Sequence, residues 1–203
     1  MIAVVDYKAG NLTSVMKALT AVGADALATD DPETVKRANK IILPGVGHFQ
    51  ATAFLEQSGL REAIKEQIAQ GTPFLGICVG LQWLFHGSTE APETPGLGVF
   101  EGACDRFAAG QKVPHVGWNS LTISDDSRLL RGVASGSFVY FTHSYRAPVI
   151  HDTVAVTEYG TPFTAAVERG HVMGVQFHPE KSGPAGLQIL RNFLELPSPD
   201  LPC

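Results

Sequence analysis

Four apolar residues in a row, Ile2 to Val5, are followed by Asn11 and then by apolar positions at Val15, Ala18, Leu19 and Val22, ending at Gly23. The first run has the length of a buried strand; the second repeats every three to four residues, as one face of a helix does. Asn11 before it and Gly23 after it supply that helix's start and stop. Pro32, behind Asp30 and Asp31, predicts the first turn of a second short helix, and KIILPG the next buried strand. AFLEQSGL and REAIKEQIAQG read as helical pieces before the strand PFLGI. Strand then helix, repeated, predicts an α/β fold with a mostly parallel central sheet flanked by helices on both faces.

The second half changes period. GWNSLTI, SFVYFTHSY, DTVAVTEYG, FTAAVERG and HVMGVQF all read as strands separated by turn residues, and strands so closely spaced include antiparallel ones. GPAGLQILRNFLEL predicts a closing helix, and PSPDLPC the composition of a frayed end. With no repeat and no linker, the chain divides into one domain, 1–196, and a flexible tail, 197–203.

Composition narrows the partners. At 203 residues with 44% hydrophobic and 17% charged residues, the chain can bury a core as a single domain. A net charge of -5 with scattered Lys and Arg offers no basic stripe for nucleic acid and no polybasic run for a membrane surface. No apolar run reaches the roughly 20 residues of a membrane span, and MIAVVDY lacks the features of a signal peptide, so a cytoplasmic protein is expected. Cys78, Cys104 and Cys203 are odd in number and far apart, which fits neither a disulfide framework nor a metal or redox pair.

Cys78 is the exception to an otherwise quiet inventory. Gly76-Ile77-Cys78-Val79-Gly80 has the form of a nucleophile elbow, in which glycines two before and two after the nucleophile permit a sharp strand-to-helix turn. Such a turn lifts the sulfur above the carboxyl edge of the sheet and sets it at a helix N-terminus, which favours thiolate. The plainer alternative is a small apolar filler at a strand end. Gln82, four residues on, faces the same way on a helix and could hold a polar substrate.

A thiolate attacking a carbonyl needs a proton manager, and His178 in VQFHPEKS ends an apolar strand at the same edge. Glu180, two positions on, projects from the same face if the chain stays extended through Pro179, and can orient the imidazole. The alternatives are an ordinary polar strand exit or two ligands of a metal, but there is no helical HExxH motif to support a metal. The oxyanion of acyl transfer needs about two backbone donors. Val79 supplies one in an elbow, and the Pro44-Gly45-Val46-Gly47 turn after KIIL is the natural place for another, although PGVG by itself is more often an ordinary glycine turn.

Together these stretches resemble the class I, triad-type glutamine amidotransferases, and the similarity covers nearly the whole chain. GICVGLQ and FHPEKS are shared broadly in that family. LPGVGHF, PHVGWN, FTHSYRA and the N-terminal DYxxGN are similar to its members that serve as glutaminase subunits of imidazole glycerol phosphate synthase. The resemblance implies a flavodoxin-like fold, hydrolysis of L-glutamine and no cofactor. It implies Cys78 as nucleophile, His178 as base and acid, Glu180 as orienting carboxylate, and Val46, Gly47 and Val79 at the oxyanion hole. It also implies Gln82, His143, Ser144 and Tyr145 at glutamine, and Asn11, Trp118, Asn119, Tyr140 and Lys181 toward a partner and an ammonia exit. That partner would be a separate cyclase subunit, a TIM barrel of about 250 residues that this chain has no room to contain, joined as a heterodimer in histidine biosynthesis. Lys8 departs from the family, which often carries glycine there, and Val79 and Leu81 replace the commoner leucine and methionine. Rival readings are another class I glutaminase, a cysteine peptidase on a related sheet, and a silent partner that only binds a barrel enzyme.

Overall fold

The computed structural model of the chain describes residues 1–124 and 126–198. The apolar run at the start forms strand β1 (Ile2–Val5), buried at every position. Helix α1 (Leu12–Ala21) follows, its Asn11 side chain accepting from the Ser14 N–H, and buries Val15, Ala18 and Leu19. Then come β2 (Ala26–Thr29), α2 (Pro32–Lys36) and β3 (Lys40–Gly45). Asp31 caps α2 by accepting from the Glu33 and Thr34 amides, with Pro32 in the first turn where no N–H is required. Helices α3 (Ala53–Gln57) and α4 (Leu60–Ala69) lead to β4 (Phe74–Cys78), which runs without a loop into α5 (Val79–Trp83).

The second half holds β5 (Asp105–Arg106), β6 (His115–Ser120), β7 (Thr122–Ile123), β8 (Phe138–His143), β9 (Tyr145–Arg146), β10 (Thr153–Glu158), β11 (Pro162–Arg169), β12 (Val172–Val175) and α6 (Gly183–Glu195). The main sheet has the order β2-β1-β3-β4-β12-β11-β10-β7. Its first five strands are mutually parallel, and β11, β10 and β7 extend it antiparallel. β5 pairs with β9, and β6 with β8, as two small separate sheets.

Two expectations need correction, and one strand was not expected. GWNSLTI is not one strand: it breaks at the buried Leu121, so that β6 belongs to a two-stranded sheet and β7 to the edge of the main one. SFVYFTHSY likewise splits at Ser144 into β8 and β9, which pair with different neighbours. β2 has no counterpart in the sequence reading. It is an edge strand with Leu27 and Ala28 exposed, so its ALAT sequence carries no alternation to find.

Parallel pairing settles where chemistry can gather. β4 lies between β3 and β12, so the carboxyl ends of all three open on the same edge. Among the described residues no helix is long and apolar enough to cross a membrane. The expected tail from residue 197 lies largely beyond the described residues, and Cys203 wholly so.

Candidate active site

The turn at Cys78 is possible only because of its glycines. Cys78 takes φ 55° and ψ -105°, a left-handed conformation rare for a residue with a side chain. A Cβ on Gly76 would sit 2.4 Å from the Gly80 carbonyl oxygen, and one on Gly80 only 1.9 Å from the Leu43 carbonyl oxygen of β3. The elbow is thus folded against its own helix and clamped onto the neighbouring strand. Gly45, at the end of β3, is held as closely: its Cβ would meet the buried Tyr7 hydroxyl at 2.1 Å.

His178 stands three residues beyond β12, beside the elbow. Its Nδ1 is 2.8 Å from Glu180 Oε1, and both side chains are almost fully buried. The chain does not stay extended through Pro179 as the sequence reading required. Pro179–Lys181 form a 3-10 turn, because proline favours a turn's first position, and the turn itself brings the carboxylate back onto the ring. The backbone of His178 is also fixed, its N–H donating to the Tyr140 carbonyl at 2.9 Å and its carbonyl accepting from Ser182 Oγ at 2.6 Å.

Burial opposes charge on His178, but the Cys78 sulfur and the Glu180 carboxylate outweigh it and raise its pKa to about 10. His178 Nε2 is buried without a protein hydrogen-bond partner, as is Glu180 Oε2. A nitrogen held this firmly and left unpaired can deliver a proton to a group entering from the cavity.

That cavity has a volume of about 360 Å³ and is bounded by Gly47, His48, Cys78, Val79, Gln82, Glu90, Pro114, Thr142, His143, Ser144 and Tyr145. Cys78 Sγ lies 3.9 Å from the Thr142 carbonyl and receives the Gln176 amide at 3.6 Å. Both N–H bonds of Gln82 are directed inward, to the Tyr145 carbonyl at 2.8 Å and to Gln176 Oε1 at 3.1 Å, which leaves its oxygen as the group free for a ligand. His143 borders the cavity with both nitrogens engaged, Nδ1 at 2.8 Å from the Tyr145 carbonyl and Nε2 at 3.2 Å from His115 Nδ1. Gly47 and Val79 face the same space, whereas Val46 does not line it; Gly47 has φ 93°.

Two residues of the site, one on the cavity wall and one buried behind the sulfur, had no place in the sequence reading. Glu90 is the only carboxylate among those lining the cavity; its Oε2 accepts the Phe49 N–H at 2.8 Å. Gln176, fully buried, is the donor aimed at the sulfur. A polar residue inside the apolar run VMGVQF was the one signal that could have found it. Cys104 is fully buried, with Sγ 4.0 Å from the Gln82 carbonyl, and burial raises its pKa.

The residues expected at a partner face fall into two groups. Trp118 and Tyr140 pack edge to face with centroids 6.1 Å apart, and Lys181 Nζ lies 5.7 Å from the Tyr140 ring. Around them Val116, Trp118 and Phe138 are 56%, 55% and 60% exposed, an apolar face on the sheet of β6 and β8. Asn119 instead turns inward, donating to the Glu158 carbonyl, and Asn11 is engaged in capping α1. Lys8 adopts φ 65°, the conformation that favours the family's glycine, and is anchored by its N–H to Asp6 and its Nζ to Asp30 at 2.7 Å.

A family model described as glutamine amidotransferase class-I matches residues 3–196, and the chain belongs to that family. In fold it is similar to a crystal structure described as a glutamine amidotransferase, at a TM-score of 0.76 and 23% identity, covering 96% of this chain and 98% of that one. The chain belongs, within that class, with the imidazole glycerol phosphate synthase subunits HisH. The one from Methanothermobacter thermautotrophicus is 49% identical over 97% of this chain and 98% of its own length. That from Caldanaerobacter subterraneus subsp. tengcongensis is 48% identical with the same coverage.

Proposed function

We propose that this chain is the glutaminase subunit of an imidazole glycerol phosphate synthase, with Cys78, His178 and Glu180 as its catalytic triad. The observation that carries this reading is the His178 ring, fixed by Glu180 at 2.8 Å, with its second nitrogen unpaired beside a cysteine at a clamped elbow. A pKa of about 10 keeps His178 charged at neutral pH, so that it carries a proton for the leaving group beside Cys78.

The thiolate attacks the side-chain amide carbon of glutamine, and the negative oxygen forms among the amides of Val79 and the Val46 to Gly47 loop. His178 Nε2–H protonates the departing nitrogen, the C–N bond breaks, and ammonia leaves a cysteinyl thioester. His178, now neutral, takes a proton from water, whose oxygen attacks the thioester; the C–S bond breaks to give glutamate and thiolate. Glu90 receives the α-ammonium of glutamine, being the carboxylate on the cavity wall, and the Gln82 oxygen accepts a further N–H. Ser144 and Tyr145 line the same wall, and His143 shapes it without a free nitrogen of its own.

Ammonia that escapes to neutral water is mostly protonated and no longer a nucleophile, so the product is passed to a separate cyclase subunit, a TIM barrel, in histidine biosynthesis. Its docking face is the apolar patch of Val116, Trp118 and Phe138 with Tyr140 and Lys181, whose aromatic composition and exposure suit a protein partner. The test is glutamate release by the purified chain with a cyclase subunit and its nucleotide substrate. Wild type is expected to turn over and Cys78→Ala to stop; an active Cys78→Ala, or a rate indifferent to the cyclase, would overturn the reading.

A further inference from the structure

His115 opens β6 buried, outside the residues that line the cavity, and no step above uses it. Its ring is stacked between Tyr159 and Phe141, with centroids 4.1 and 5.0 Å away. Its two nitrogens nevertheless sit in a chain of hydrogen bonds whose direction can be worked out from either end.

At the inner end, the Tyr145 carbonyl can only accept, so His143 Nδ1 carries a proton. At the outer end, the Asn119 amide is pinned: Nδ2 donates to the Glu158 carbonyl at 2.9 Å and Oδ1 accepts from the Ser120 N–H at 2.8 Å. The same Nδ2 faces His115 Nε2 at 3.4 Å, so that nitrogen is a bare acceptor and the His115 proton resides on Nδ1. His115 Nδ1–H then donates to His143 Nε2 at 3.2 Å, and both ends agree. A second proton on either ring would set donor against donor. Burial acts in the same sense, pulling the pKa of His115 to about 4 and that of His143 to about 3.

The chain continues past the histidines. The Tyr145 carbonyl also holds Gln82, Gln82 holds the Gln176 oxygen, and that orients the Gln176 N–H toward the Cys78 sulfur at 3.6 Å. Every donor and acceptor in this series except the Gln82 oxygen, left for a ligand, is therefore assigned by its neighbours.

We propose that His115 is a positioning residue for glutamine hydrolysis: its Nδ1–H holds His143 in one tautomer, and through the Tyr145 carbonyl this fixes the Gln82 oxygen toward glutamine and the Gln176 amide toward the sulfur. The proposal rests on the glutaminase reading of the cavity. It adds a residue that touches neither substrate nor sulfur.

Long-range 1H–15N correlation spectra of the ring-labelled full chain are expected to show Nδ1–H on both His115 and His143 at neutral pH. Either ring charged, or protonated on Nε2, overturns the proposal without any variant having to fold. Kinetics follow in the complex with the cyclase and its nucleotide. His115→Phe keeps the stacking and removes the donor, and is expected to raise KM for glutamine about tenfold with kcat within about threefold, the loss of one hydrogen bond. His115→Asn restores an N–H near the place of Nδ1 and is expected to bring KM back to within about threefold of wild type. An unchanged KM in His115→Phe, or His115→Asn as impaired as His115→Phe, overturns it. Wild type that released no glutamate would instead overturn the glutaminase reading itself.

Discussion

Replacing Gly80 by alanine adds one methyl group 1.9 Å from the Leu43 carbonyl oxygen and 3.1 Å from its carbon. An ordinary carbon-to-oxygen contact is about 3.3 Å or longer, so α5 and β3 would have to separate by more than about 1 Å. Two effects oppose each other. Alanine in place of glycine within a helix gains about 1 kcal/mol. Overpacking costs about 1–3 kcal/mol and sometimes more. The obstacle is a backbone oxygen of a strand paired on both sides by β1 and β4, with no side-chain tip to rotate away, so the clash is set at the top of that range. A net loss of about 2 kcal/mol or more follows, about 1 M in a urea midpoint at an m-value of about 2 kcal/mol/M. The displacement also moves the sulfur, and a misplacement of about 1 Å costs on the order of 100-fold in rate. Gly10→Ala is the control, because its Cβ would meet the Pro44 carbonyl at ordinary contact distances, 3.5 Å from the oxygen and 3.9 Å from the carbon. Urea denaturation and glutamate release of the two variants decide the matter. Should Gly80→Ala match Gly10→Ala in midpoint and keep kcat/KM within about threefold, the elbow is not clamped on β3.

Three further outcomes are expected. Cys78→Gly and Cys78→Ala both lose the sulfur, but only glycine is at ease at φ 55°, so the glycine variant should be more stable by about 1 kcal/mol in the same denaturation assay. Glu90→Gln keeps an oxygen for the Phe49 N–H but loses the charge offered to the α-ammonium; KM for glutamine should rise about 10- to 100-fold with kcat nearly unchanged, and an unaffected KM would remove Glu90 from the site. His178 has a folded pKa raised to about 10 from 6.5, so its charge stabilises the fold fully below about pH 6.5 and less as pH rises through about 10. Because the sulfur is part of that shift, Cys78→Ala should lower the His178 pKa in an NMR titration and flatten the fall of the urea midpoint across that window.

Local pattern made part of this site legible and left the rest hidden for identifiable reasons. The elbow was readable because close packing excludes every residue but glycine at positions 76 and 80, and that exclusion marks the sequence itself. His178 and Glu180 were readable as neighbours, though the contact arises from a 3-10 turn where an extended chain was expected. Glu90 lies in STEAPETPG, which has no period, and its partner Phe49 is 41 residues away. Among the six histidines other than His178, His115 carries no local mark, since nothing in PHVGWN says that its ring will meet His143 from the facing strand. Long-range polar pairing of this kind leaves no local trace.

The hydrogen bond from the His178 N–H to the Tyr140 carbonyl, backed by Ser182 bridging His178 and Tyr140, hangs the proposed base on the middle of β8. The same strand presents Tyr140 against Trp118 on the outer apolar face. Residues there are not free to drift as ordinary surface residues would, because any change that reseats the hairpin reseats the base. If the proposed cyclase docks on that face, adapting to an altered partner and retuning the reaction would be the same evolutionary step, tying the histories of the two chains together.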